Sequence, residues 1–128
     1  MLNGEAQAAT TKILLSPVSA ANTAAATSGW VDARDAEGDI MFINQVGTLT
    51  GSITWTIETA SDGSGTGAVA ITPLEGAYAA GAATQIQKRT LGAGSILGWV
   101  RCVGTIVTGP ALVNAAIAYR SKYSSNWT

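Results

Sequence analysis

The chain contains no histidine. That absence removes the side chain most used as a general base near neutral pH, the Ser-His and Cys-His nucleophile pairs, and imidazole metal sites. Cysteine occurs once, as Cys102, so an intramolecular disulfide framework and a multi-cysteine metal centre are both excluded. Cys102 lies inside the apolar-alternating run Val100–Ile106 and reads as a buried thiol rather than a reactive one. Charge is also scarce: 12% of the 128 residues are Asp, Glu, Lys or Arg, about half the usual share. No run of about eighteen apolar residues occurs, which excludes a transmembrane helix. The start, Met1-Leu-Asn-Gly-Glu5, has neither the basic region nor the apolar core of a secretory signal, so synthesis and folding in a cytoplasm are expected.

Acidic residues are missing from the second part of the chain. All eight (Glu5, Asp32, Asp35, Glu37, Asp39, Glu58, Asp62, Glu75) precede residue 76, where only Lys12 and Arg34 accompany them. Five bases follow (Lys88, Arg89, Arg101, Arg120, Lys122) with no acid among them. Two readings stay open. Folding can bring the halves together and cancel the asymmetry, or the asymmetry can serve complementarity between copies or with an acidic partner. Five scattered bases do not make the concentrated patch that nucleic acid requires.

What the chain does have is period-two alternation. Gly51-Ser-Ile-Thr-Trp-Thr-Ile-Glu58 places Ile53, Trp55 and Ile57 on one face and Ser52, Thr54, Thr56 and Glu58 on the other. The turn Ser61–Gly67 and the short run Ala68–Ile71 follow, which together read as a β-hairpin with a flexible tip. Thr11–Ser16 reads as a first strand ended or edged by Pro17, and Ser19–Ser28 as a loop. Gly29–Asp32 is a short strand before the acidic turn 33–38. Asp39–Val46 carries apolar groups on both faces, which places it centrally or under cover on both sides. Thr84–Leu91, Leu97–Val107 and Leu112–Ser121 complete the set, with turns at Gly92–Gly94 and Thr108–Pro110.

Strands at this spacing predict a single all-β domain, an antiparallel β-sandwich of which the jelly roll is one form. Its bounds are 11–121, flanked by a flexible N-terminal arm (1–10) and a C-terminal tail (122–128). The stretch Thr48–Ile53 echoes Thr90–Ile96, each closely followed by Trp (Trp55, Trp99), but it is too short to establish a repeat.

Candidate chemistry is sparse. Asp32-Ala-Arg-Asp-Ala-Glu-Gly-Asp39 offers four carboxylates in eight residues, yet it departs from EF-hand spacing and contains Arg34, so it reads as a solvated turn. Asp62-Gly-Ser-Gly-Thr-Gly67 superficially resembles a phosphate loop, but it joins two strands and contains no base. Neither a catalytic residue, a metal ligand nor a cofactor site is assigned, and the protein is expected not to be an enzyme. Aromatic residues and Arg are enriched at protein interfaces, so Trp99, Arg101, Trp127, Tyr123 and Trp30 are the candidate partner-binding residues. The alternative for them is a second small core covered by loops.

Gly29–Asp32, Asp39–Val46, Gly51–Ile57 with its Asp-Gly turn, and Gly98-Trp-Val-Arg101 with Gly104-Thr105 resemble small virion proteins of tailed bacteriophages. The resemblance spans roughly residues 29–120 and implies a capsid decoration or cement protein. Such a protein is an all-β module, often a homotrimer, bound to the major capsid protein on the outer surface of the head. It brings no catalytic residues with it. A tail, baseplate or fibre component shares the architecture, and a carbohydrate-binding module stacking sugars on Trp30 or Trp99 is the third class.

Overall fold

Eight strands emerge where the alternation predicts them: β1 (Ala9–Ala20), β2 (Val31–Asp32), β3 (Ala36–Leu49), β4 (Ile53–Ala60), β5 (Val69–Ile71), β6 (Gln85–Leu91), β7 (Trp99–Ile106) and β8 (Ala111–Ser121). They are seen in a computed structural model that describes residues 9–122. The strands form two four-stranded antiparallel sheets, ordered β1-β8-β3-β6 and β2-β7-β4-β5. Among the described residues, only β4 and β5 are joined as a hairpin within one sheet; the other connections cross from one sheet to the other. A three-residue 3-10 turn, Ala93–Ser95, stands where a simple turn was expected.

The core lies between the sheets, where alternation delivers one residue in two. Ile40, Phe42 and Val46 of β3 and Val113, Ala115 and Ile117 of β8 face Ile53, Trp55 and Ile57 of β4 and Val100 and Cys102 of β7, all buried. Trp55 stands opposite Gly104 in the register. A Cβ on Gly104 would come within 2.7 Å of Ile53 and 3.1 Å of Trp55, so only glycine lets that indole into the core. A polar link crosses the same core: the Tyr78 hydroxyl donates to Asn44 Oδ1 at 2.6 Å, and Asn44 is fully buried.

Several boundaries move. Strand β1 starts at Ala9 and continues through Pro17 to Ala20, longer than Thr11–Ser16. Proline fits there because β1 is an edge strand whose register slips between Leu15 and Val18, leaving Pro17 out of the ladder. Ala9 and Thr10, assigned to the arm, pair with Arg120 and Tyr119. The rest of the arm and the tail from residue 123 lie outside the described residues. Strand β3 is central in its sheet, between β8 and β6, but it is not covered on both sides. Among the described residues each sheet packs on one partner sheet, which leaves Met41 39% exposed on the outer face.

The charge halves meet as well. Glu58 faces Arg101 across β4–β7, and Glu37 faces Arg120 across β3–β8. Folding therefore offsets part of the asymmetry along the chain within a single copy, through the Glu58–Arg101 ion pair above all.

Candidate functional site

The register brings three of the five candidate residues together on the outer face of the second sheet. Asp32 pairs with Trp99 and Val31 with Val100, which sets Trp30 beside Arg101. The Arg101 guanidinium lies 4.6 Å from the centroid of the Trp30 ring and donates through Nε to Glu58 Oε1 at 2.6 Å. Arg34 repeats the arrangement one step along. It sits 5.4 Å from the Trp99 centroid and grips Asp32 with two hydrogen bonds, at 2.9 and 2.7 Å. Those bonds hold the Asp32 carboxyl well down, at about 2.

The glycine-rich loop closes over both rings. Asp62 Oδ1 accepts the backbone N–H groups of Ser64 (2.8 Å) and Thr66 (3.1 Å), and Ser61 Oγ donates to the Thr66 carbonyl. A Cβ on Gly63 would stand 3.1 Å from the Trp99 ring, and one on Gly65, whose φ is +86°, would stand 2.8 Å from Trp30 Nε1. The loop read as a flexible tip is thus pinned on indole. Below it, the buried Thr59 Oγ1 donates to the Trp99 carbonyl and accepts the Leu97 N–H. Trp30, Trp99 and Arg101 therefore form a small cluster, stacked and ion-paired within the chain. Tyr123 and Trp127 lie outside the described residues.

The acidic turn is more than a solvated bend. Asp35 accepts the Tyr119 hydroxyl at 2.7 Å and the Ser121 hydroxyl at 2.9 Å, and its carbonyl accepts the Lys122 N–H. Burial pushes its carboxyl upward, but the hydrogen bonds from Tyr119 and Ser121 outweigh that and leave it below the ordinary value. Lys12 Nζ reaches the Asp32 carbonyl at 2.6 Å and stands 3.9 Å from Asp35. Asp32 and Asp35 are drawn to separate partners, and among the described residues no three acidic or thiol groups gather where they could hold a metal. Cys102 is fully buried; loss of water around it pushes its thiol up to about 11.

The outer face of the first sheet is different in kind, and sequence reasoning missed it. Register rows run Thr11–Ala118–Met41–Thr90 and Ile13–Ala116–Ile43–Lys88, and the next row holds Asn114, Gln45 and Ile86. Leu112 extends the face beyond them. Ile13 is 67% exposed, Ile86 59% and Leu112 45%. A groove of 140 Å³ opens where β1 bulges, lined by Pro17, Gln45, Gly47 and Leu112 among others. The second sheet's outer face, by contrast, carries Thr54, Thr56 and Thr105 with the Glu58–Arg101 pair. The signal for the apolar face is present in Met41 and Ile43 alternating with Ile40 and Phe42, but it fits a strand covered on both sides as well as a central one.

No protein-family model matches the sequence, and no curated protein is significantly similar to it.

Proposed function

We propose that the protein is a structural component of a bacteriophage virion, a decoration or cement protein bound to the outer surface of the head. The observation that carries this reading is the outer face of the first sheet: mostly apolar and small side chains across four strands from Leu112 to Ala118, with Lys88 on the free edge and the facing Glu37 and Arg120 at one end. Contiguous exposed apolar surface on a small domain marks a contact surface. The strand order supports the finer architecture, because β1-β8-β3-β6 facing β2-β7-β4-β5, with the chain alternating between sheets, is the winding of a jelly roll.

The partners in this reading are the major capsid protein and further copies of the chain, a homotrimer by the resemblance. Residues 1–8 and 123–128 supply grips on the shell, with Trp127 and Tyr123 as aromatic anchors. Modest contacts repeated by symmetry gain avidity on a regular lattice. The carbohydrate reading loses support, since a guanidinium faces each of Trp30 and Trp99 and a glycine lies against it. A tail, baseplate or fibre role is the alternative that the same architecture serves.

Co-sedimentation of the purified protein with heads stripped of it tests the reading. Binding is expected to raise the temperature at which the heads break, because a ligand of the assembled state stabilises it by mass action. Removing residues 1–8, or Trp127→Ala, is expected to lower occupancy while the isolated domain stays folded. Unchanged occupancy in both variants, or binding to tails alone, would remove the decoration reading.

A further inference from the structure

The apolar face of the first sheet has relief as well as composition. Its central strand β8 presents Ala116 and Ala118, whose methyl groups rise little above the backbone. On one side β1 raises Ile13, the register partner of Ala116. On the other side β3 raises Ile43 and Met41, the partners of Ala116 and Ala118. A short trough, floored by Ala116 and Ala118, therefore lies between Ile13 and Thr11 on one side and Ile43 and Met41 on the other.

Two such faces turned toward each other are complementary. About a two-fold axis, the Met41/Ile43 ridge of each copy lies in the alanine trough of the other, in the manner of aligned sheets packed face to face. Charge does not oppose the approach. Between Leu112 and Ala118 the rows carry only Lys88, which stands on the free edge strand β6 and stays at the rim. A charged partner surface would leave its own groups without counterparts here, whereas an identical neutral face does not.

The area sets the strength. Four strands about 4.8 Å apart and seven residues at about 3.4 Å each make a rectangle of roughly 450 Å². Two copies thus bury about 900 Å² or somewhat more, near the lower limit of about 1,000 Å² for a specific contact and short of a permanent dimer. Pairing of this size is concentration-dependent and fills as copies crowd on a surface.

We infer that the outer face of β1-β8-β3-β6 pairs with the same face of a second copy about a two-fold axis. The inference rests on reading the protein as an assembling component, and it names what covers its apolar face. The sheet edges and termini are left for contacts with the shell.

Sedimentation velocity from micromolar to near-millimolar concentration tests this. The average mass of the wild-type protein is expected to double across that range, whether the unit that pairs is one chain or the trimer. Ala116→Lys, which fills the trough with a charge, is expected to weaken association at least tenfold, and Ile13→Lys on the edge strand to do the same. Circular dichroism establishes that both variants are folded. Thr56→Lys, on the outer face of the other sheet, is expected to leave association unchanged. A mass that stays constant at every wild-type concentration, or association in both face variants equal to the wild type, would overturn the inference. Protein that pairs through this face yet binds no virion part would keep the inference and remove the virion reading. Protein that binds heads yet never pairs would do the reverse.

Discussion

Replacing Gly65 by alanine tests whether the glycine-rich loop is fixed on the tryptophans. Gly65 has a φ of +86°, and a Cβ there would stand 2.8 Å from Trp30 Nε1 and 3.2 Å from the ring carbon Cε2. Two costs follow. A side chain in the left-handed region costs about 1 kcal/mol, and forcing it against a packed ring adds about 1–3 kcal/mol. Gly67 supplies the control, because its φ is +66° but nothing lies within 4 Å of its Cβ position. Gly67→Ala should therefore carry the conformational cost alone, about 1 kcal/mol. Gly65→Ala should lose about 2–4 kcal/mol. At about 4 °C per kcal/mol for a domain of this size, the two melting temperatures separate by several degrees. Urea unfolding followed by tryptophan fluorescence reads both numbers, and the folded-state emission of Gly65→Ala should shift as Trp30 is displaced. Equal losses within about 0.5 kcal/mol, a usual bound for negligible differences, would refute the packing of this loop on Trp30.

Three further outcomes are expected. Asp32 is held down to about 2 against an ordinary 3.8, and Asp35 is also depressed, so their stabilisation is present above the ordinary value and is lost as the pH falls from about 4 toward 2; melting temperature should be flat from neutral pH to about 5 and fall across that window, less steeply in Asp35→Asn. Tyr78→Phe removes the hydroxyl donated to the buried Asn44 and should cost about 1–3 kcal/mol in denaturant titrations, while a silent change would mean that the core link carries no stability. Cys102 is fully buried with its thiol pushed up to about 11, so a thiol reagent at neutral pH should label it only at the rate of unfolding; immediate labelling of native protein would contradict its placement.

The sandwich was legible because alternation is a local property that survives folding. Ile53, Trp55 and Ile57 read as one buried face, and they are. Val113, Ala115, Ile117 and Tyr119 did the same at the far end of the chain. What alternation cannot convey is whether a second apolar face meets another layer. Met41 and Ile43 therefore fit a covered strand as well as a central one, and the structure leaves Met41 exposed and Ile43 half-buried on the outer face. Pro17 looked like a strand end because the bulge that accommodates it depends on the register with β8, over ninety residues away in sequence. Trp30, Trp99 and Arg101 were singled out one by one. Their gathering comes from the pairing of β2 with β7 and from the loop beyond β4, neither of which has a local signature. Asp35 was misread for the same reason, since Tyr119 and Ser121 reach it across 84 and 86 positions. The echo of Thr48–Ile53 in Thr90–Ile96 falls at two places where the chain leaves the first sheet for the second.

Separating purified virions into heads and tails, and measuring this protein in each by quantitative mass spectrometry, tests the central claim most directly. The account predicts that it accompanies the heads, in a fixed ratio to the major capsid protein set by the lattice. Recovery with the tails alone, or absence from both fractions, would contradict it.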